Sequence, residues 1–164
     1  MQIRLTPLIK GFITGALMIA VVVGFYYSNQ PSDSPLQYVI YGLYGLGIIW
    51  TLVAYRQSVE FTGKFTDLFF RGFRCFIIVT LLMVIFTFVF NKMHPEFAAE
   101  STEAYRQELI KNPPKDMLPS EMDKAVTQYK NNYNTVLIYG SIFGYLIIGA
   151  GVTALISGLL TRRT

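Results

Sequence analysis

Apolar residues are concentrated in four long stretches, none of which contains an Asp or a Glu. They run from Leu8 to Tyr27, Leu36 to Tyr55, Leu68 to Phe90 and Tyr133 to Leu160. About 20 residues of α-helix, at about 1.5 Å per residue, cross the hydrocarbon layer of a bilayer. Each stretch meets that length, and a chain of 164 residues could not hide four of them in one soluble core. The pattern predicts an all-α integral membrane protein with four transmembrane helices in a single domain, residues 1–164.

The polar segment between the third and fourth stretches, residues 92–132, is predicted to form a short helical insertion. Its first part, Glu96–Lys111, carries an apolar stripe and is followed by two prolines, which end a helix. A second helix starts at Ser120, with Asp123 at capping-box spacing, and either runs directly into the fourth span or bends at Asn131. Neither helix buries enough apolar area to be stable alone. We expect their stripes to rest on the bilayer, the spans or a partner.

Charge divides the polar segments into a basic and an acidic group. The N-terminal region, the segment from Arg56 to Arg74 and the C-terminus carry eight basic residues against two acids, a net charge of +6. The first loop and residues 92–132 hold six basic residues against eight acids, a net charge of −2. Because cytoplasmic loops are enriched in Lys and Arg, both termini are predicted to be cytoplasmic and residues 92–132 extracytoplasmic. The overall charge of +4 thus indicates topology and contact with membrane lipids, and not nucleic-acid binding.

Small residues recur at helical-face spacing in the fourth and first spans. The set comprises Gly140, Gly144, Gly151, Ala154 and Gly158, together with Gly11 and Gly15. Gly144, Gly151 and Gly158 are seven residues apart, and two of the pairs form GxxxG motifs. Such faces let helix backbones approach each other closely in a membrane. The simpler interpretation is packing within the four-helix bundle, and the sharper one is a docking face for a membrane protein partner or for a second copy of the chain.

Three basic residues at the start of the third span could contact the phosphate of a lipid: Lys64, Arg71 and Arg74. The alternative is ordinary anchoring at the membrane surface, with Asp67 paired to Arg71 across one helical turn. His94 is the sole histidine and Cys75 the sole cysteine, so no metal-ligating set is evident. No serine, histidine and acid are arranged for nucleophilic catalysis. We therefore expect no metal, no cofactor and no catalytic residues.

Several landmarks extend over nearly the whole chain. They are Lys10-Gly11-x-x-x-Gly15, Phe61-Thr62-Gly63-Lys64-Phe65, the acidic segment 92–132, and Leu159-Leu160-Thr161-Arg162-Arg163. Their order resembles a bacterial domain-of-unknown-function family of small four-span inner-membrane proteins. The resemblance implies a fold and a location in the bacterial inner membrane, but it implies no settled activity and supplies no catalytic residues. By analogy alone, it associates the chain with cell-envelope glycosyltransferase machinery.

Three functions are compatible with these features. The leading hypothesis is a non-enzymatic accessory or anchoring protein that associates with a membrane partner. The alternative is a small lipid or solute transporter, and the third is a membrane enzyme that acts on a lipid-linked substrate. Ion- and proton-coupled transporters usually place acids, lysines or histidines inside their spans, and here none occurs beyond the helix ends, which counts against transport.

Overall fold

The computed structural model describes residues 5–28, 37–114 and 118–162. In these residues the chain forms five helices and no strand: α1 (Pro7–Tyr27), α2 (Gln37–Arg56), α3 (Phe65–Met93), α4 (Glu96–Lys111) and α5 (Pro119–Arg162). All but α4 are long and apolar enough to cross a membrane. The all-α fold with four membrane-spanning helices and a helical insertion before the fourth is confirmed. Leu36, predicted to begin the second span, lies outside the described residues.

Short local signals account for where the helices of the membrane region begin. The Thr6 hydroxyl caps α1 by accepting a hydrogen bond from the Ile9 N–H at 3.3 Å, and Pro7 follows as the first helical residue. Between α2 and α3, Gly63 has a φ of +78°, a left-handed conformation that favours glycine. The Thr62 hydroxyl then donates to the carboxylate of Asp67 in the first turn of α3.

The chain divides into two compact units, Met1–Val84 with Ile142–Thr164, and Ile85–Ser141. The core of the first unit is built by α1, α2 and α3, with α5 packed against it; its fully buried side chains include Met18, Tyr44, Ile48, Leu52, Leu68 and Val79. Two glycines mark close helix contacts. A Cβ at Gly11 of α1 would lie 2.6 Å from the carbonyl oxygen of Cys75 in α3, and one at Gly149 of α5 would lie 2.8 Å from Cγ of Phe76.

In the second unit, α4 packs against the first part of α5. The rings of Tyr105 and Tyr129 stack with centroids 4.5 Å apart, and Arg106 pairs with Asp123 at 2.9 Å. Leu109, on the same stripe as Tyr105, is buried. The two apolar stripes therefore rest on each other, an arrangement that the sequence analysis did not consider.

The capping box at the start of α5 lies two residues before the expected pair of Ser120 and Asp123. The helix begins at Pro119, and the Glu121 carboxylate accepts a hydrogen bond from the Leu118 N–H at 3.0 Å. This is the return bond of a capping box, made by the residue three positions after the cap. Ser120 is inside the helix, and Asp123 pairs with α4 instead. Of the two alternatives for this helix, α5 runs on without a break through Asn131.

Candidate functional site

A cavity of about 470 Å³ opens in the first unit where α1 begins, α2 ends and α3 begins. Its wall combines aromatic rings with polar side chains, chiefly Thr6, Lys10, Trp50, Tyr55, Ser58, Glu60 and Arg71. Because the three helices contribute these ends to one cavity, the start of α1 and the connection from α2 to α3 lie at the same end of the bundle. That placement agrees with the grouping of their basic residues in the sequence.

Lys10 is the most unusual residue of this wall. It lies in the first turns of α1 and is only 8% exposed. Its ammonium nitrogen lies 5.2 Å from the ring centroid of Trp50, a cation–π contact. Among the described residues, no carboxylate and no hydrogen-bond acceptor contacts this ammonium. A cation–π contact is worth about 0.5–2 kcal/mol and leaves the ammonium N–H groups free to donate into the cavity that Lys10 lines.

Arg71 supplies the second cation of the cavity. Its guanidinium carbon lies 4.5 Å from the ring centroid of Tyr55, and its Nη2 lies 3.2 Å from the Glu60 carboxylate. The Tyr55 hydroxyl donates to the backbone carbonyl of Glu60 at 3.2 Å, which holds the turn after α2 against the ring. Two cations against one carboxylate leave the wall with a net charge of +1.

The three basic residues proposed to contact lipid phosphate do not share one site. Arg71 lines the cavity, whereas Lys64 and Arg74 are exposed and do not line it. The alternative pairing of Asp67 with Arg71 is wrong: Arg71 pairs with Glu60, and Asp67 accepts a hydrogen bond from Thr62. Sequence reasoning treated Lys10 as part of the basic end and missed its burial. The signal was present, because Lys10 is the only charged residue inside the first apolar stretch.

The small residues of α1 lie against α3. A Cβ at Gly11 would meet the backbone of Cys75, and one at Gly15 would lie 2.8 Å from Cδ1 of Leu82. Both glycines are buried. The GxxxG motif of the first span therefore lies in a contact between two helices of the same bundle.

The glycines of α5 lie differently. A Cβ added at Gly144, Gly151 or Gly158 would meet no atom within 4 Å among the described residues. The buried face of α5 carries Gly149, and at about 100° per residue Gly151 lies about 200° around the helix from it. We call Gly144, Gly151 and Gly158 the α5 glycine face; it points away from the core of the first unit.

The two remaining small residues of the predicted set sit beside this face. Ala154 is half-buried in the first unit. Gly140 belongs to the second unit, and a Cβ there would also meet nothing within 4 Å. Within residues 5–28, 37–114 and 118–162, no three His, Cys, Asp or Glu residues lie together as metal ligands would. The cavity combines two cations, one carboxylate, aromatic faces and the hydroxyl of Thr6.

The four membrane-length helices agree with the four-span family that the sequence landmarks resemble. No curated protein and no solved structure matches this chain. Residues 10–163 match the family described as "Protein of unknown function (DUF4199)", so the chain belongs to that family.

Proposed function

We propose that this chain is a non-enzymatic accessory protein of the membrane, which docks a transmembrane helix of a partner protein on the α5 glycine face. The observation that carries the proposal is the difference between two glycines of one helix. A Cβ at Gly149 would collide with Tyr44 and Phe76, whereas one at Gly151 would meet no atom of the described residues within 4 Å. The bundle accounts for the first glycine and leaves the second without a role in its own packing.

Close helix contact gives such a face a physical purpose. Glycines are common in membrane helices, and three that recur on one face leave a strip of α5 without side chains. A second helix can approach a glycine-lined groove closely and gain dispersion contacts there. The side chains of Ile147 and Leu155 are each 70% exposed. They lie beside this groove and could contact a docked helix on both sides.

The occupant we favour is a helix of a different membrane protein, with a second copy of this chain as the other candidate. Envelope glycosyltransferases are a candidate partner class suggested by the family resemblance alone. The proposal includes a location in the bacterial inner membrane with both termini in the cytoplasm, and membrane lipids covering the other apolar faces.

The test compares three leucine variants by two measurements on each purified sample. Gly151→Leu fills the proposed groove, and Gly149→Leu fills the buried contact. Gly24→Leu changes a glycine of α1 at which a Cβ would also meet no described residue within 4 Å. We expect Gly151→Leu to keep its melting temperature in detergent and to lose the protein that co-purifies with the wild type from native membranes. Gly24→Leu should retain both, because no groove is proposed there. Gly149→Leu should melt earlier.

The outcomes separate the possible occupants. If Gly151→Leu and wild type co-purify the same proteins with equal yield, lipid covers the face and the proposal is wrong. Loss of a dimer in Gly151→Leu, measured by sedimentation in detergent with no other protein present, would identify a second copy as the occupant.

A further inference from the structure

We infer that the cavity between Lys10 and Arg71 binds the phosphate group of an anionic ligand, with these two side chains as its cationic contacts. The inference concerns the end of the bundle where α1, α2 and α3 meet. It uses no residue of α5 and is independent of the docking proposal.

Lys10 provides the first argument. The residue is 8% exposed and lines the cavity, and its ammonium lies over the ring of Trp50. The buried stem holds the ammonium at the wall of the cavity, where it has no described carboxylate partner, and an anion in the cavity would supply that counter-charge. A phosphate oxygen can also accept the ammonium protons that no protein group accepts.

Arg71 provides the second argument. A guanidinium carries five N–H donors in a planar fork, which matches the oxygens of a phosphate. Among the described residues, Glu60 is the only hydrogen-bond partner of Arg71, and it is reached through Nη2. The remaining donors are therefore available, while the Tyr55 ring holds the guanidinium plane in place.

The surroundings favour an anion of one net negative charge. The wall has a net charge of +1, which a phosphodiester would neutralise. Thr6 and Pro7 also line the cavity, and they form the N-terminus of α1, the positive end of its helix dipole. The Thr6 hydroxyl adds a donor to the wall, whereas the Ser58 hydroxyl already donates to the backbone carbonyl of Tyr55 at 2.7 Å.

The size of the cavity bears on the source of the phosphate. At about 470 Å³ it falls within the range of about 300–1,000 Å³ typical of small-molecule pockets. A phosphate ion alone would leave much of it unfilled, so the ligand is expected to carry further atoms beyond the phosphate. Lipid headgroups and soluble phosphate esters share this chemistry, and the experiment distinguishes lipid-borne from free phosphate.

Trp50 allows binding to be followed directly, because it is the only tryptophan of the chain and its ring contacts Lys10. The protein is reconstituted in nanodiscs of phosphatidylcholine, and tryptophan emission is recorded as the phosphatidylglycerol content is raised. In a second series, inorganic phosphate is titrated into phosphatidylcholine nanodiscs at constant ionic strength. A response to phosphatidylglycerol alone identifies a lipid headgroup, and a response to inorganic phosphate identifies a free phosphate group.

Three variants test whether the change in tryptophan emission comes from binding in the cavity. Lys10→Met removes a charge-assisted hydrogen bond and should weaken binding by about tenfold to a hundredfold. Glu60→Gln removes the competing carboxylate from an exposed turn and should strengthen binding. Arg162→Met is the control, since it removes an exposed positive charge of the first unit that does not line the cavity, and it should bind like the wild type.

Each outcome decides for or against the site. No response in either series, or an unchanged response in Lys10→Met, overturns the inference. Equal weakening in Lys10→Met and Arg162→Met also overturns it, because that pattern indicates general attraction to a basic surface. If Lys10→Met does not fold, Glu60→Gln decides: tighter binding supports the cavity, and unchanged or weaker binding rejects it.

Discussion

The phenol of Tyr44 in α2 donates a hydrogen bond to the backbone carbonyl oxygen of Tyr145 in α5, over 2.9 Å. Tyr44 is fully buried, and the two rings meet edge to face with centroids 5.6 Å apart. Hydrogen bonds between membrane helices contribute about 0.6 kcal/mol on average and about 1.7 kcal/mol at most. We expect Tyr44→Phe to destabilise the protein by an amount in this range, measured by denaturation in detergent. Tyr41→Phe, at a tyrosine that is 43% exposed, should have a smaller effect.

Alanine substitutions at two neighbouring glycines of α5 should have opposite effects on stability. A Cβ at Gly149 would lie 2.8 and 2.9 Å from two ring carbons of Phe76, so Gly149→Ala must displace that ring. Overpacking of this kind costs about 1–3 kcal/mol. Gly151→Ala meets nothing and should be neutral or stabilising, because alanine favours a helix. Thermal melting of both variants in one detergent tests this, and equal losses would contradict the assignment of the two faces.

The helices could be predicted from the sequence because their signals are local. Apolar runs of membrane length predicted four helices. The apolar stripe of Glu96–Lys111 and the prolines after it predicted the bounds that α4 has in the structure. The faces of α5 could not be predicted in this way. Gly149 and Gly151 are the same residue type two positions apart, and only the positions of α2 and α3 determine which of them is buried.

The cavity could not be predicted from the sequence for a similar reason. Lys10 and Arg71 are far apart in the chain, and the charge pattern, which predicts that both lie on one side of the membrane, does not indicate that their helix ends share a cavity. The sequence offered Asp67 as the partner of Arg71 because the two are four residues apart on one helix. In the structure Glu60 pairs with Arg71 instead, because the Tyr55 hydroxyl donates to the backbone carbonyl of Glu60 and holds that turn beside Arg71.

In the second unit, aromatic stacking should hold the helix pair more strongly than the ion pair does. The stack of Tyr105 on Tyr129 is expected to contribute about 0.5–1.5 kcal/mol beyond its buried area. Arg106 and Asp123 are both exposed, and such pairs contribute about 0–1 kcal/mol. Tyr129→Ala should therefore raise amide exchange in α4 more than Asp123→Ala does. Rapid exchange throughout α4 in the wild type would instead show that the helix pair is not formed.

The first turn of α4 should respond to acid. The Glu96 carboxylate is hydrogen-bonded by its own backbone N–H and by His94, with 2.7 Å between Oε1 and Nδ1, and these contacts lower the pKa of Glu96 from its ordinary 4.5. Because the pKa of Glu96 is lower in the folded protein than its ordinary 4.5, the ionised carboxylate stabilises this turn fully above pH 4.5. That stabilisation is lost as the pH falls through the lower pKa of the folded state. At neutral pH the amides of this turn should exchange more slowly in the wild type than in Glu96→Gln. In acid the two proteins should exchange at the same rate. A constant difference across the range would contradict the role of the carboxylate.

The charge distribution predicts the topology. Residues at the basic end carry a net charge of +6, against −2 for the remaining polar segments, and a cytoplasmic basic end is the rule for membrane proteins. A reporter that is active only outside the cytoplasm should therefore work when inserted after Lys111 and fail when fused after Arg163. The reverse pattern would place both termini outside. It would also move Lys10 and Arg71 to the outer surface, so that the phosphate ligand would have to come from the outer leaflet while the cavity itself stays unchanged.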